Sequence, residues 1–437
     1  MSRMTFIATG DAFITRRIPE DGYDGYEELC QCIRENDVKF TNLEMTFHDQ
    51  EGVPAAVSGG TWAMAEPEIL DDLKKMGFNL FNTANNHSCD YSHGGVLATI
   101  SNLKKRNMVF SGTGKNLQDA SRPCYLETKK GRVALISVCS TFDLSAMAGG
   151  QSGDLPGRPG LNPLRYTTRY HVDQNHYDMV NALARLTRIN AARDHSVKNG
   201  YASPLEPGIM PLGKSLFVLD EKNWVESIPE EQDLVRITEE IKEAKRQADV
   251  VLVSIHAHES DTGETSVPAR FIEIFSRACI DAGANVVIGH GPHEVRGIEC
   301  YHNGVIFYSL GNFIFQTETV GLQPYDAYAN KKMPIDTKVG AYMDARSKNG
   351  TAGYGVLPEI WNSVMASWTI EEGAVTQIRL YPVELYMNEK RTKKGIPHLT
   401  GDEQILEKLN KLCQPYNTQI SIKNGVGVIE RKKENSI

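Results

Sequence analysis

The sequence predicts an α/β fold, because short apolar segments typical of buried strands alternate with amphipathic helical segments. Two observations support this prediction. The segment 250–255 (VVLVSI) is a continuous apolar run, as a strand buried on both faces of a parallel sheet requires. In the segment 230–248, apolar residues recur every three or four positions, which gives a helix one apolar face.

The first third of the chain alternates in this way from its start. We expect strands at 5–9, 38–43, 78–83, 109–114 and 132–138, and helices at 23–35, 67–75 and 95–106. Pro67 lies near the first turn of its helix, where proline is tolerated, and Gly77 follows the end of the same helix. The positions of this proline and this glycine thus agree with the predicted boundaries of the helix.

The later part of the chain repeats the alternation between irregular segments. The residues 145–165 are rich in Gly, Pro and Ser, which is typical of a loop, and we expect a helix at 173–194 followed by an irregular stretch to Trp224. The remaining predicted elements are helices at 230–248 and 268–282, strands at 250–255 and 285–288, and hairpins at 297–315 and 363–384. We therefore predict one domain over 1–400, interrupted by insertions at 145–228 and 317–360, and a C-terminal extension at 401–437 with a charged, disordered tail from Glu430.

Composition excludes several classes of function. The 437 residues carry a net charge of −8, which argues against non-specific binding to nucleic acid or to anionic membranes. No apolar run approaches the roughly 18–20 residues of a transmembrane helix, and the N-terminus has no signal-peptide pattern. Eight cysteines are scattered without CxxC pairs, so we expect reduced thiols, a cytoplasmic location and no Cys-ligated zinc.

Five short polar clusters each follow a predicted strand. They are Gly10-Asp11, Asn42-Leu43-Glu44, Asn85-Asn86-His87, His256-Ala257-His258-Glu259 and Gly289-His290-Gly291-Pro292-His293. In α/β sheets, functional groups collect beyond the carboxyl ends of the strands, so these clusters are expected to meet at one edge. Carboxylate, amide and imidazole groups together suit Mn, Fe or Zn in a hydrolytic site.

Each cluster taken alone also has a structural interpretation. Asp11 could cap a helix or turn that follows its strand, and Asn86 could be a turn residue with positive φ. His290 and His293 lie close to glycines and could be ordinary loop residues. A shared site explains the five clusters together, whereas the structural alternatives explain them only one at a time.

Several segments resemble the CapA family of poly-γ-glutamate capsule synthesis proteins, which belongs to the calcineurin-like metallophosphoesterase superfamily. The resemblance covers about 4–145 and 245–316. It lies in TFIATGDAFITRR, FTNLEMTF, PEILDDLKKMGFNLFNTANNHSCDYSHGG, FSGTGKN, IHAHES and VVIGHGPHEVRGIECYHNGVIFYSLGNFIF. It implies a four-layer αββα sandwich of the metallophosphoesterase type with two inserted irregular or helical segments. A metal site is expected at the strand ends, and the insertions would frame the substrate and set specificity.

The resemblance also implies roles for individual residues. Asp11 matches the first metal-binding aspartate, and Glu44 stands where the superfamily has a carboxylate that bridges two metals. Asn86 would be a ligand, and His87 beside it would donate a proton or stabilise the transition state, oriented by Asp90. The remaining implied ligands are His256, His290 and His293. One or two divalent ions, Mn, Zn or Fe, are therefore expected.

The chain departs from the superfamily pattern at two positions. Phe13 stands where an Asp-x-His motif usually has its histidine, so a mononuclear or asymmetric site is possible. His258 lies where the family tends to have glycine in His-Trp-Gly-x-Glu, and it could be an extra ligand, a substrate contact or a surface residue. Arg16 and Arg17 follow the first motif and could bind an anionic group, although solvated surface arginines are the alternative.

These expectations lead to two functional hypotheses. The first is a hydrolase that uses a metal-bound hydroxide to cleave a phosphoester, a γ-glutamyl polymer or a related amide. The second is a non-catalytic accessory protein of a polymer-synthesis complex with a structural or vestigial metal site. The missing histidine of the first motif favours the second hypothesis, whereas His87 beside Asn86 favours the first. Family members are often exported or membrane-anchored, which conflicts with the cytoplasmic expectation.

Overall fold

The computed structural model describes residues 3–431. Its strands are β1 (Met4–Phe13), β2 (Val38–Leu43), β3 (Thr46–Phe47), β4 (Met64–Ala65), β5 (Leu80–Asn82), β6 (Phe110–Ser111), β7 (Thr113–Gly114), β8 (Cys124–Thr128), β9 (Gly131–Cys139), β10 (Gly160–Leu161), β11 (Tyr166–Val172), β12 (Ile209–Leu212), β13 (Ser215–Leu219), β14 (Trp224–Pro229), β15 (Val250–His256), β16 (Val286–His290), β17 (Val295–Tyr301), β18 (Gly304–Leu310), β19 (Asn312–Phe315), β20 (Asn362–Glu371), β21 (Ala374–Glu384), β22 (His398–Leu399), β23 (Ser421–Lys423) and β24 (Val426–Glu430). Its α-helices are α1 (Tyr26–Arg34), α2 (Ile69–Met76), α3 (Ser92–Lys105), α4 (Leu117–Ser121), α5 (Gln174–Thr187), α6 (Ala191–Lys198), α7 (Glu231–Gln247), α8 (Arg270–Asp281), α9 (Tyr325–Asn330), α10 (Val339–Arg346) and α11 (Glu403–Cys413).

Two large mixed sheets form the centre of the fold. The ten-stranded sheet has the order β23-β24-β21-β20-β1-β2-β5-β6, with β19 also paired to β1 and β22 to β21. Its β1, β2, β5 and β6 are parallel, and the hairpin β20–β21 joins them antiparallel. The six-stranded sheet has the order β17-β18-β16-β15-β9-β8, with β9, β15, β16 and β18 parallel.

Three hydrophobic cores define four layers. The core between the sheets contains Phe6 and Phe40 from one sheet and Leu252 and Phe307 from the other. Apolar residues of α1, α2 and α3 cover the outer face of the ten-stranded sheet, and those of α7 and α8 cover the outer face of the six-stranded sheet. Side chains alternate across a strand, so neighbouring residues of β1 serve different cores. The expected αββα sandwich is confirmed.

The first insertion is more regular than the sequence indicated. The predicted helix at 173–194 breaks at Arg188, whose φ of 53° ends α5, and α6 follows as a separate helix. The predicted irregular stretch to Trp224 instead contains β12 and β13, which form a four-stranded sheet with β11 and β14. That part of the prediction was wrong, because the side chains of β13 are partly exposed on both faces and leave no period-two pattern.

The predicted C-terminal extension is packed onto the sandwich. Helix α11 places Leu406 and Leu409 in the core between the sheets, and β24 pairs with β21. Glu430 is the last residue of β24, and the remainder of the predicted disordered tail, 432–437, lies outside the described residues. Among residues 3–431, no helix has the length and apolar character needed to cross a membrane. The division into one domain with an extension stays a prediction.

The register of the sheets brings the polar clusters to one edge. Asp11 of β1 lies beside Asn42 of β2, and His256 of β15 lies beside His290 of β16. The backbone N–H of Gly291 donates to Asp11 Oδ2 at 3.0 Å, which links the edges of the two sheets directly. The strand ends of both sheets therefore open onto a common site.

Candidate metal centre

Asp11 is the carboxylate nearest to the histidines of the six-stranded sheet. Its side chain is fully buried, and Asp11 Oδ1 lies 3.7 Å from His256 Nδ1 and 3.5 Å from His290 Nδ1. Asp11 Oδ2 lies 3.6 Å from His293 Nδ1. Asp11 belongs to β1 itself, so the helix-capping interpretation does not hold for it.

Glu44 is a second fully buried carboxylate on the other side of these histidines. Glu44 Oε1 lies 3.8 Å from His256 Nε2 and 3.7 Å from His293 Nε2. Neither carboxylate oxygen of Glu44 has a hydrogen-bond partner in the described residues. A buried carboxylate without partners costs several kcal/mol unless a cation or a proton neutralises it, on the order of the desolvation penalty of an ion. Glu44 is therefore suited to a divalent cation.

Ligand atoms from these residues form three overlapping groups. Within each group, the atoms lie within 4.8 Å of one another. The groups are Asp11 with His256 and His290, Glu44 with His256 and His258, and Asp11 with Glu44 and His293. Because Asp11, Glu44 and His256 each occur in two groups, the donors can serve one ion or two neighbouring ions that share ligands.

Burial sets the protonation of the cluster. Burial raises the pKa of Asp11 to about 7, although hydrogen bonds from Asn42 and Gly291 act against this rise. Burial, with the nearby Asp11 and Asp90, also raises the pKa of Glu44 well above its usual value. The histidines show the opposite effect, because burial lowers the pKa of His290 to about 3 and of His293 to about 4. Neutral imidazoles can bind a divalent ion as they stand, whereas the raised pKa values of Asp11 and Glu44 mean that an ion would have to displace protons from these carboxyl groups.

The pKa values of the other two histidines fall in the same direction. Burial, together with neighbouring histidines, lowers the pKa of His256 and of His258 well below the ordinary value. His258 Nε2 lies 3.0 Å from His256 Nε2, and the His258 ring packs against the His293 ring at 5.3 Å. His258 is thus part of the cluster, which argues against the surface interpretation of this residue.

Asn86 has a side-chain amide oxygen that accepts no hydrogen bond from the described residues. Asn86 Nδ2 donates to Gly59 O at 2.9 Å, while Asn86 Oδ1 is buried without a partner in the described residues. Asn86 does not have a positive φ, so the turn interpretation gains no support from the backbone. The oxygen of its neighbour Asn85 is used within the protein, because Asn85 Oδ1 accepts a hydrogen bond from the backbone N–H of His87 at 3.1 Å. Of the two asparagines, only Asn86 keeps its oxygen free for an ion.

His87 and Asp90 form a fixed pair beside the cluster. His87 Nδ1 lies 2.6 Å from Asp90 Oδ2, and both residues are buried. Asp90 also accepts hydrogen bonds from the backbone N–H groups of Gly59 and Ala63 at 2.9 and 2.8 Å. These bonds fix the carboxylate, which in turn fixes the His87 ring. Nε2 of His87 is the ring nitrogen left for a bound molecule.

Some residues that support the site were given no role of their own from the sequence. Asn42 Nδ2 donates to Asp11 Oδ1 at 2.7 Å, Asn312 Oδ1 lies 2.9 Å from His293 Nδ1, and Ser254 Oγ lies 2.7 Å from His290 Nε2. Arg296 is buried and donates to four backbone carbonyls of the loop after β15. Such contacts orient metal-binding groups. Asn42 and Asn312 lie inside the quoted FTNLE and YSLGN segments, which was an available signal.

The structure places Arg16 and Arg17 away from the cluster. Arg16 Nη1 donates to Thr392 O at 2.7 Å, and Arg17 forms an ion pair with the buried Asp72. Neither arginine lines the cavity that contains His87. This placement does not support the predicted binding of an anionic group by these two residues.

A cavity of about 360 Å³ opens beside the cluster. Asn86, His87, His258 and His293 line it on the side of the strand ends. The opposite wall comes largely from the second insertion and its flanks, and its residues include Phe315, Glu318, Met343, Arg346, Tyr354 and Trp361. The cavity gives a small molecule access to His87 and to the metal-ligand side chains together.

Comparison with known proteins shows the family of the chain. The sequence model of the family described as bacterial capsule synthesis protein PGA_cap matches residues 5–317. The chain belongs to this family. The predicted membership of the CapA family is thereby confirmed.

Individual relatives match over different lengths. The chain is 33% identical over 437 residues to the Uncharacterized protein y4sH of Sinorhizobium fredii, and the match covers 97% of this chain and 92% of that one. It is 25% identical over 319 residues to the PGA biosynthesis protein CapA of Bacillus subtilis, covering 71% of this chain and 64% of that one. Among solved structures, a hypothetical protein from Thermus thermophilus aligns with a TM-score of 0.41 and 13% identity, covering 87% of this chain and 99% of that one.

Proposed function

We propose that this member of the family is a metal-dependent hydrolase that acts on a phosphoester or on γ-glutamyl polymer or a related amide. The observation that supports this proposal most strongly is Glu44, whose two buried oxygens have no partner in the described residues and lie beside neutral histidines. The chemistry of the donors fits Mn, Zn or Fe, in one or two ions. The printed name of the Bacillus subtilis relative, PGA biosynthesis protein CapA, supports a link to γ-glutamyl polymer.

The proposed ligands are the buried side chains of the cluster. They are Asp11, Glu44, Asn86, His256, His290 and His293, with His258 as a further donor. A divalent ion bound there would act as a Lewis acid and lower the pKa of a bound water toward about 7. Asn42 and Asn312 hold two of these ligands in place.

His87 is the proposed catalytic residue, and Asp90 is its positioning residue. Because Asp90 occupies Nδ1, His87 Nε2 is left to face a substrate in the cavity. From this position it can protonate a leaving oxygen or nitrogen, or donate a hydrogen bond to negative charge that develops on the substrate. A purely structural metal site needs neither this histidine nor an open cavity beside it.

Phe13 supports a second candidate function. It stands at the position of a superfamily histidine, and its ring packs edge-on against His87 at 5.2 Å, so it contributes no ligand. A weakened metal position would suit an accessory protein of a polymer-synthesis complex that binds partners without catalysis. The enzyme remains the first proposal, because His87, Asp90 and the cavity are all in place.

We also propose a reducing compartment for this chain. All eight cysteines are unpaired, although four of them are buried well inside the fold. A protein of an oxidising compartment would more commonly use such residues in disulfides. Labelling of free thiols in the native host, before and after reduction, tests this proposal.

The experiment that separates the two functions compares His87→Ala with wild type. Purified protein is analysed for bound metal, then assayed with a generic phosphodiester and with a γ-glutamyl peptide in the presence of Mn²⁺. The hydrolase proposal predicts a loss of about 10²–10⁴-fold in turnover with metal content retained, the contribution of a general acid. His195→Ala, an exposed histidine of α6, is the control. A metal-loaded wild type that turns over neither substrate would favour the accessory function.

A further inference from the structure

The second insertion supplies a cationic residue to the wall of the cavity. Arg346 is the last residue of α10, and its side chain lines the same cavity as His87 and His258. We propose that Arg346 binds an anionic group of the substrate, separate from the group that reacts at the metal-ligand side chains. This inference rests on the proposed function and narrows the substrate to molecules with a carboxylate or phosphate besides the scissile bond.

The charge of Arg346 is not neutralised by the protein. Arg346 Nη2 donates to the carbonyl oxygen of Gly60 at 3.3 Å, and no carboxylate of residues 3–431 forms an ion pair with its guanidinium. The acid of the same cavity wall, Glu318, is already paired with Arg391 and Lys394. Arg346 therefore contributes an uncompensated positive charge, and its planar group of N–H donors matches carboxylate or phosphate oxygens.

Aromatic rings form the wall next to this charge. Tyr354 packs against His293 at 5.1 Å and against Phe315 at 5.7 Å, while Trp361 packs against Phe315 at 5.7 Å. Such rings exclude water and offer an apolar surface to methylene groups. Exclusion of water strengthens the attraction between Arg346 and a bound anion.

The two features together describe a class of ligand. One end of the ligand meets His87, an apolar middle part packs against the rings, and an anionic oxygen group meets Arg346. A γ-glutamyl unit has these parts, because two methylene groups separate its amide from a carbon that carries a free carboxylate. A phosphorylated molecule with a short carbon chain has them as well, so the anionic oxygen group is the common chemistry.

The test measures binding without turnover, so that it does not depend on metal chemistry. Metal-free protein in EDTA is titrated with γ-glutamylglutamate, with the same dipeptide carrying carboxamides in place of its carboxylates, and with a phosphate monoester. Intrinsic tryptophan fluorescence or calorimetry reports the dissociation constant. Wild type is compared with Arg346→Gln, with Arg346→Lys and with the control Arg193→Gln. Like Arg346, Arg193 donates to one backbone carbonyl, but it lies in the first insertion.

The expected result is a loss of about tenfold or more in the affinity of Arg346→Gln for an anionic probe, as for one charge-assisted hydrogen bond. The carboxamide probe should bind both proteins equally, Arg346→Lys should be intermediate, and Arg193→Gln should match wild type. A loss confined to the phosphate monoester would support the site and assign it to phosphate. Equal affinity of wild type and Arg346→Gln for every probe, or no binding of any probe to wild type, would overturn the inference. Failure of the hydrolase proposal would instead appear as absent turnover with this binding difference intact.

Discussion

Replacing Glu44 with glutamine should stabilise the metal-free protein and remove most of its metal binding. The Glu44 carboxylate is fully buried and has no hydrogen bond in the described residues to lose. Among the described residues, the groups that could carry a positive charge beside Glu44 are the rings of His256 and His293, whose Nε2 atoms lie 3.8 and 3.7 Å from Glu44 Oε1. Burial lowers the pKa of both rings and keeps them neutral. Glutamine has almost the same shape and no ionisable proton. The substitution therefore removes an unfavourable charge from the folded state without removing a contact.

The size of the effect follows from the burial of an unpaired acid. Replacement of uncompensated buried ionic groups by neutral ones of similar volume is worth about 1–3 kcal/mol in unfolding free energy. The sign depends on pH, because burial raises the pKa of Glu44 in the folded protein. A carboxyl group whose pKa is higher in the folded protein contributes fully to stability at pH values below its pKa in the unfolded chain. This contribution is lost as the pH rises toward the pKa of the folded protein. The advantage of Glu44→Gln should thus be absent near pH 4 and develop toward pH 7.

Urea unfolding in EDTA at both pH values measures this difference, and repetition with Mn²⁺ measures metal binding. A metal at about 100 times its dissociation constant stabilises the wild type by about 2.7 kcal/mol, whereas Glu44→Gln should gain far less. Glu259→Gln is the control, because Glu259 is partly buried and accepts hydrogen bonds from Ser140 and Thr141 at 2.8 Å. That variant should be destabilised. The reasoning is refuted if Glu44→Gln is less stable than wild type in EDTA at pH 7, or if Mn²⁺ stabilises both equally.

Three further predictions concern other parts of the site. Gly10→Ala would place its Cβ 1.8 Å from the carbonyl oxygen of Gly311, so the free energy of unfolding measured in urea should fall by about 3 kcal/mol or more. In the control Gly153→Ala, where the added Cβ meets open space, stability should change by less than about 0.5 kcal/mol. Arg296→Lys should lower the free energy of unfolding by about 2–3 kcal/mol and weaken Mn²⁺ binding, because a lysine cannot donate to all four backbone carbonyls after β15. An unchanged Tm and an unchanged metal affinity would contradict this. Burial raises the pKa of Asp11 to about 7, so at pH 6 metal binding should release the Asp11 proton, and metal affinity should rise between pH 5 and 7. Calorimetry in two buffers of different ionisation enthalpy detects the released proton. Equal heats of binding in the two buffers would argue against this release.

The central sandwich could be predicted from the sequence because its strands are buried on both faces. The strands β9, β15 and β16 consist mostly of buried apolar residues, and the helices between them have one apolar face. The first insertion lacks both signals. Its β13 is partly exposed on both faces, and α5 buries only Ala184 fully. Local pattern therefore identified the core elements and missed the small sheet.

The same distinction applies to the site. Asp11, Glu44, His256 and His290 lie at or near the carboxyl ends of buried strands, so the order of elements alone predicted that they meet. Arg346 could not be found in this way, because it approaches His87 only through the packing of the second insertion, which lies about 260 residues further along the chain. The predicted role of Arg16 and Arg17 rested on their nearness to Asp11 in sequence. It gains no support from the structure, because their guanidinium groups contact Thr392 O and Asp72.

Phe13 connects the metal centre with the cavity. Its ring packs edge-on against His87 and lies near the ring of Phe315, so Phe13 forms part of the cavity wall. If the cluster holds two ions, the absence of an imidazole at position 13 would weaken only one ion position, because Asp11 and Glu44 each belong to a second group of ligand atoms. Phe13 also places an apolar surface beside His87. An asymmetric centre that binds one ion more tightly than a second agrees with both consequences, and it requires no loss of catalysis.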